Sequence, residues 1–264
     1  MTAGWALVTG ACSGIGLAIA RELASRGHPL VLVSNREAEL GAVARQLSSE
    51  NKVAAHAIAM DLARPEAALT LYEEVRRRGL EVEILVSNAG VFFFGEVADT
   101  DPSQACAMLQ LHVVTPSLLA LYFGQDMRAR RRGHLLFVSS ISAWRDFPGI
   151  AYYGSSKRYL RSFAASLREE LGTWGVNVTC LAPGAVATNL YEKTGVPVEI
   201  AVKYSVMKDP ARVARAGVRG MFRRKAVVVP GLSAKLMALG MTLIPHWLIK
   251  LIRTRSPLLP RPGD

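Results

Sequence analysis

Trp5-Ala6-Leu7-Val8-Thr9 leads directly into Gly10-Ala11-Cys12-Ser13-Gly14-Ile15-Gly16, and this junction decides the fold. The first stretch is short and apolar, as expected of a strand covered on both faces. The second places Gly10, Gly14 and Gly16 just where an amphipathic run begins. Glycines there allow a tight turn and a close approach of backbone to a pyrophosphate. The helix behind them offers unpaired amides and a favourable dipole to that anion. Turns need glycine for other reasons too, so the cluster alone is weak. A strand before it and a helix after it make it a candidate dinucleotide turn, with Thr9, Gly10, Ser13, Gly14, Ile15 and Gly16 as its residues.

Outward from this junction, short apolar runs alternate with longer amphipathic stretches. Strands are expected at 5–9, 29–34, 53–59, 82–87, 134–140, 176–181 and 226–229. Helical patterns lie between them, for example at 36–47 and 65–78. Another begins at Asp209-Pro210, a capping residue followed by proline at the first helical position. Alternation of this kind implies a doubly wound, parallel α/β sheet of seven strands in three layers, because right-handed crossovers place helices on both faces. The 264 residues suit one core, with residues 1–231 as the domain and 232–264 as an apolar extension. No repeat, low-complexity tract or linker interrupts the pattern.

Half the residues are hydrophobic and a fifth charged, which excludes a disordered chain. Cys12, Cys106 and Cys180 are scattered, without metal-ligand spacing, and point to a reducing, cytoplasmic setting with no metal. The first residues carry no basic leader or long apolar run, so a signal peptide is not expected. The net charge of +11 raises the question of nucleic acid. Clusters at 76–78 before Gly79, and at 130–132 before Gly133, read instead as helix-terminating cations. No nucleic-acid partner is expected; attraction to an anionic membrane surface or an acyl carrier remains open.

Ligands of such sheets bind at the carboxyl ends of the strands. After the second strand stands Ser34-Asn35-Arg36, where an acid would hold a ribose 2′-hydroxyl. Arg36 can instead pair with a 2′-phosphate, and Ser13 and Asn35 can donate to it, so NADP(H) is expected. Farther on, Tyr153 and Lys157 are four residues apart, with Ser140 thirteen residues before the tyrosine. Residues four apart share a helix face. An ammonium beside a phenol favours the phenolate and brings its proton exchange toward neutrality.

Taken together these residues resemble the short-chain dehydrogenase/reductase family over about residues 5–230. The family's glycine motif corresponds to Thr9–Gly16, and its acidic adenine contact to Asp61 beside Leu62. Its Asn-Ala-Gly corresponds to Asn88-Ala89-Gly90, with Ser87 where a further asparagine is usual. Pro183-Gly184, Val186 and Thr188 match the segment that lies against the nicotinamide. The resemblance implies a Rossmann-type fold and hydride transfer between NADP(H) and a ketone or secondary alcohol. In it Ser140 orients the oxygen, Tyr153 moves the proton, and Lys157 holds the ribose and lowers the phenol's pKa. It also implies a homo-oligomer, a dimer or tetramer. One departure stands out: the asparagine of the family's proton relay is replaced by His112, 28 residues before Ser140. A ring nitrogen there could hold the relay water or titrate near neutrality; otherwise the residue only packs its helix.

A lipophilic substrate is expected from Phe92-Phe93-Phe94, Trp144, Phe147 and Ile150, and from Tyr191, Val196, Pro197 and Tyr204 in a loop at 189–208. The same side chains would also serve as core or subunit contacts. Residues 232–252 are apolar and flanked by Lys235, Lys250, Arg253 and Arg255, which fits a lid, an oligomer contact or peripheral membrane attachment through 232–255. The tail resembles those of members acting on long-chain 3-oxoacyl thioesters and other lipidic ketones. Two other classes stay open: an NADP(H)-binding sensor weakened by His112, and a membrane-surface scaffold.

Overall fold

The computed structural model describes residues 3–186, 208–245 and Ile249. Seven parallel strands form one sheet: β1 (Trp5–Thr9), β2 (Leu30–Ser34), β3 (Ala55–Ala59), β4 (Val82–Ser87), β5 (Gly133–Val138), β6 (Val176–Leu181) and β7 (Val227–Val228). Their order is β3-β2-β1-β4-β5-β6-β7, so the winding reverses between β1 and β4. Alternate side chains leave opposite faces of a strand. Ala6, Val8, Leu30 and Leu32 therefore enter one core, with α1 (Gly14–Ala24), α2 (Glu37–Asn51) and α7 (Pro210–Phe222) over it. Leu7, Val31, Val33 and Leu85 enter the other, beneath α3 (Ala67–Arg77), α5 (Thr115–Ala129) and α6 (Ala151–Gly172). Strands buried on both faces are why they read as unbroken apolar runs.

Several boundaries differ from the expectations. β5 stops at Val138; Ser139 still donates its amide to the Leu181 carbonyl at 2.7 Å, and Ser140 then caps the short 3-10 turn Ile141–Trp144. α2 runs on to Asn51, and β3 starts two residues later than its pattern suggests. α4 (Pro102–Leu109) continues through a π segment, Gln110–Val114, into α5. The helix Pro102–Ala129 is long and apolar enough to cross a membrane, yet α5 contributes Leu119, Phe123 and Met127 to the second core.

The two basic clusters differ from each other. Arg76 and Arg77 do close α3, with Gly79 at φ +68°, and Glu74 pairs with both Arg77 and Arg78. In the second, Gly133 is the first residue of β5 and terminates nothing; Arg131 itself takes the left-handed conformation, at φ +55°. Its neighbours Arg130 and Arg132 reach Glu81, and Arg132 also Glu83. The apolar extension begins as α8 (Leu232–Leu243), which ends where Ile244, preceding Pro245, turns extended.

Candidate active site

The turn after β1 owes its shape to Gly10, which sits at φ +67°. A side chain at Gly16 would run into the Gly10 carbonyl oxygen and the Asn88 amide, so that position too needs glycine. Thr9 works inside the protein. Its hydroxyl donates to the Val86 carbonyl (3.2 Å) and accepts from the amides of Asn88 (2.9 Å) and Ala89 (3.0 Å). Asn88 returns the contact, its Nδ2 donating to the Thr9 carbonyl at 2.9 Å. The loops after β1 and β4 are thereby bolted together where the sheet's winding reverses, the place at which such sheets bind ligands.

A cavity of about 590 Å³ opens there. Of the expected residues it brings together Gly10, Ser13, Gly14, Ile15, Asn35, Arg36, Asp61, Leu62, Asn88, Ala89, Gly90, His112, Ser140, Tyr153, Lys157, Pro183, Gly184 and Val186. Thr9 and Gly16 stand behind its wall, and Thr188 lies outside the described residues. Its wall also includes Ser34, Met60, Gln104, Ala107 and Leu111, which sequence reasoning missed. All but Ser34 and Met60 of these come from the helix Pro102–Ala129, whose facing side no motif reveals. A volume of this size, running from the glycine turn past Arg36 and Asp61 to Tyr153, is on the scale of a dinucleotide.

Arg36 is already turned toward the turn. Its Nη2 donates to Ser13 Oγ at 2.8 Å, and Nη1 meets Glu39 Oε2 at 2.9 Å. Both partners of the ion pair are well exposed, so it is weak.

At the far end, Tyr153 and Lys157 occupy one face of α6, both buried. Lys157 Nζ lies 5.6 Å from the centre of the Tyr153 ring and donates to the Val138 carbonyl at 3.1 Å. The Phe92 ring stands edge-on to Tyr153, with centres 4.8 Å apart. Ser140 Oγ accepts the Ser142 amide (3.2 Å), which leaves its proton for another acceptor. Ser139, by contrast, is committed: its hydroxyl donates to the Lys157 carbonyl at 2.7 Å.

Burial lowers the Lys157 pKa from its usual 10.5 to about 8, and raises that of Cys180 from 9.0 to about 11. A thiol kept neutral to that pH offers Lys157 no charge at pH 8, so burial governs the lysine. Between about pH 8 and 9 the unfolded chain holds a proton on this lysine that the folded chain gives up, so stability rises with pH. Above about pH 9 Cys180 acts oppositely, because the unfolded thiol ionises first. Urea midpoints of the protein without ligand should climb from about pH 7.5 to 9, by at most about 1.4 kcal/mol per pH unit. A flat or falling midpoint would contradict a lysine held in this dry setting.

His112 lies on the π segment and is 1% exposed. Its Nε2 accepts the Val91 amide at 2.9 Å, which leaves the ring proton on Nδ1. That proton faces Ser156 Oγ at 3.0 Å, and Ser156 donates in turn to the Tyr153 carbonyl at 2.8 Å. Burial first, and the Lys157 charge second, hold the imidazole pKa well below 6.5. These contacts argue against both relay readings of His112 and favour the packing one. Neither nitrogen is left for a water, and the ring stays neutral near pH 7. Its ring ties α6 to the loop at Val91.

The apolar wall is narrower than expected. Phe92 and Phe93 line the cavity; Phe94, Trp144, Phe147 and Ile150 do not. Phe94 packs edge-on against Phe92, and Trp144 lies under the Arg161 guanidinium at 4.2 Å. Tyr191, Val196, Pro197 and Tyr204 lie outside the described residues. Among the described residues no cluster of potential metal ligands occurs.

A parallel sheet with a glycine turn at its winding reversal, and a buried tyrosine and lysine in the same cavity, defines the dinucleotide-dependent dehydrogenase class. Sequence comparison agrees: the profile of short chain dehydrogenases matches residues 4–196, and the chain belongs to that family. Human inactive hydroxysteroid dehydrogenase-like protein 1 is 33% identical over 70% of this chain and 57% of its own length. The very-long-chain 3-oxoacyl-CoA reductase-A of Danio rerio is 31% identical over 70% and 59%. The chain thus spans little more than half the length of these relatives. A short-chain dehydrogenase from Sphingobium yanoikuyae, solved with NADPH, superposes with a TM-score of 0.81 at 27% identity, covering 96% of this chain and 98% of that one.

Proposed function

We propose that this protein is an NADP(H)-dependent oxidoreductase that interconverts a ketone and a secondary alcohol on a lipophilic molecule. One observation carries the reading: Tyr153 and Lys157 are buried side by side in the cavity that also holds the Gly10 turn and Arg36. When bound, the nicotinamide supplies or takes the hydride. Ser140 donates its free proton to the carbonyl oxygen and fixes it in place. Tyr153 delivers the proton to that oxygen, and Lys157 holds the ribose and keeps positive charge beside the phenol. Asp61 and Leu62 would hold the adenine, and Pro183, Gly184 and Val186 the nicotinamide side, a role that the family resemblance also gives to Thr188.

Phe92, Phe93, Ala107 and Leu111 support an apolar substrate, as does the name of the Danio rerio relative. A long-chain 3-oxoacyl group or a steroid-like skeleton fits that wall. The free Cys12, Cys106 and Cys180 suit a cytoplasmic setting, and homo-oligomerisation follows family habit. NADPH consumption across 3-oxoacyl thioesters, steroid ketones and small polar ketones tests the reading. Lipophilic ketones should win by at least about tenfold in kcat/KM, since each buried methylene adds discrimination. Equal turnover of small polar ketones would remove the substrate assignment. Absence of any single-turnover NADPH oxidation would favour the weakened sensor that the replacement at His112 suggests.

A further inference from the structure

The chain's positive charge is not spread along it. Residues 210–264 contain 11 of the 32 Lys and Arg and only Asp264 of the 21 acids, whereas residues 1–209 hold 21 cations against 20 acids. Ten of the eleven net charges therefore belong to this last stretch. Within it Arg212, Arg215, Arg219 and Arg223 recur every three or four residues along α7 and at its end, all exposed. Among the described residues none of the four meets a carboxylate.

The next helix, α8, is apolar on opposite sides. Ala234, Ala238 and Met241 pack inward, and Ala234 comes within 3.5 Å of where a side chain on Gly184 would begin. Leu232, Leu236, Leu239 and Leu243 share the outward face, 72, 61, 64 and 78% exposed. A row of four exposed leucines on one helix is a patch that requires a partner.

We propose that this basic and leucine-rich region is a docking surface for an anionic lipid membrane. The leucine row alone would equally suit a second copy of the chain, but apposed copies would bring two strongly cationic segments together. Anionic headgroups remove that repulsion and acyl chains accept the leucines. A nucleic acid would satisfy the arginines and leave the leucines in water. Because α8 starts beside Gly184, docking places the cavity's mouth near the lipid. The surface itself does not depend on the reductase reading, because binding is read without substrate.

Sedimentation with phosphatidylcholine vesicles, with and without phosphatidylserine, tests this on the full chain. The protein should pellet with the phosphatidylserine-containing vesicles at low salt and be released by high salt. Leu236→Asp with Leu239→Asp, and separately Arg212→Glu with Arg215→Glu, should each weaken partitioning at least about tenfold. Thermal melts followed by circular dichroism show that either pair is folded, and either pair alone suffices. Wild-type protein left in the supernatant, or variants that pellet equally well, would overturn the proposal. So would a leucine variant whose only change is to split a dimer that ignores vesicles.

Discussion

Tyr153→Phe should abolish most turnover, lowering kcat on the preferred ketone by about 10²–10⁴-fold, the usual size of a lost general acid. Phenylalanine keeps the ring, so the edge contacts to Phe92 and His112 survive and the fold should be untouched. NADPH affinity should stay within about twofold, because only the proton donor is gone. Full turnover in the variant would end the catalytic assignment. The wild-type rate should also show no inflection near pH 6.5 from His112, since a ring that donates from Nδ1 and accepts at Nε2 has nowhere to take a second proton. An inflection there that disappears in His112→Asn would restore a titrating role.

Arg36→Ala should raise the Michaelis constant for NADPH by about ten- to a hundredfold and leave that for NADH nearly unchanged. Among the described residues, Arg36 and Lys157 are the Lys and Arg side chains lining the cavity, and Arg36, held by Ser13 Oγ, is the one beside the glycine turn. Its removal also frees the Glu39 carboxylate, now paired with it, to repel that phosphate. The two coenzymes differ only at that phosphate, which makes NADH the internal control. An unchanged NADPH constant would refute the specificity.

The contrast between what could and could not be foreseen has a physical basis. Strands such as 30–34 are legible because both faces are buried and every residue is apolar. The glycine turn, Asn88-Ala89-Gly90 and the Tyr153–Lys157 pair are legible because their chemistry is local or sits at strand ends. His112 is not, because its partners Val91 and Ser156 lie 21 and 44 residues away and only the folded chain brings them to one ring. The left-handed Arg131 escaped notice because glycine is the usual occupant of that conformation and one stood two residues further on. Trp144 is hard to place for a related reason: it is apolar in sequence, yet in space it lies under the Arg161 guanidinium, away from the cavity.

The imidazole at 112 also bears on how the sequence can change. An asparagine, the residue usual there in the family, has a shorter reach and could not satisfy both the Val91 amide and the Ser156 hydroxyl from the same backbone. A simple exchange for asparagine would strand one polar group in the interior, at a cost of about 1–3 kcal/mol. The histidine is thus locked in place by its two partners. An amide at that position becomes tolerable only once those neighbours change with it.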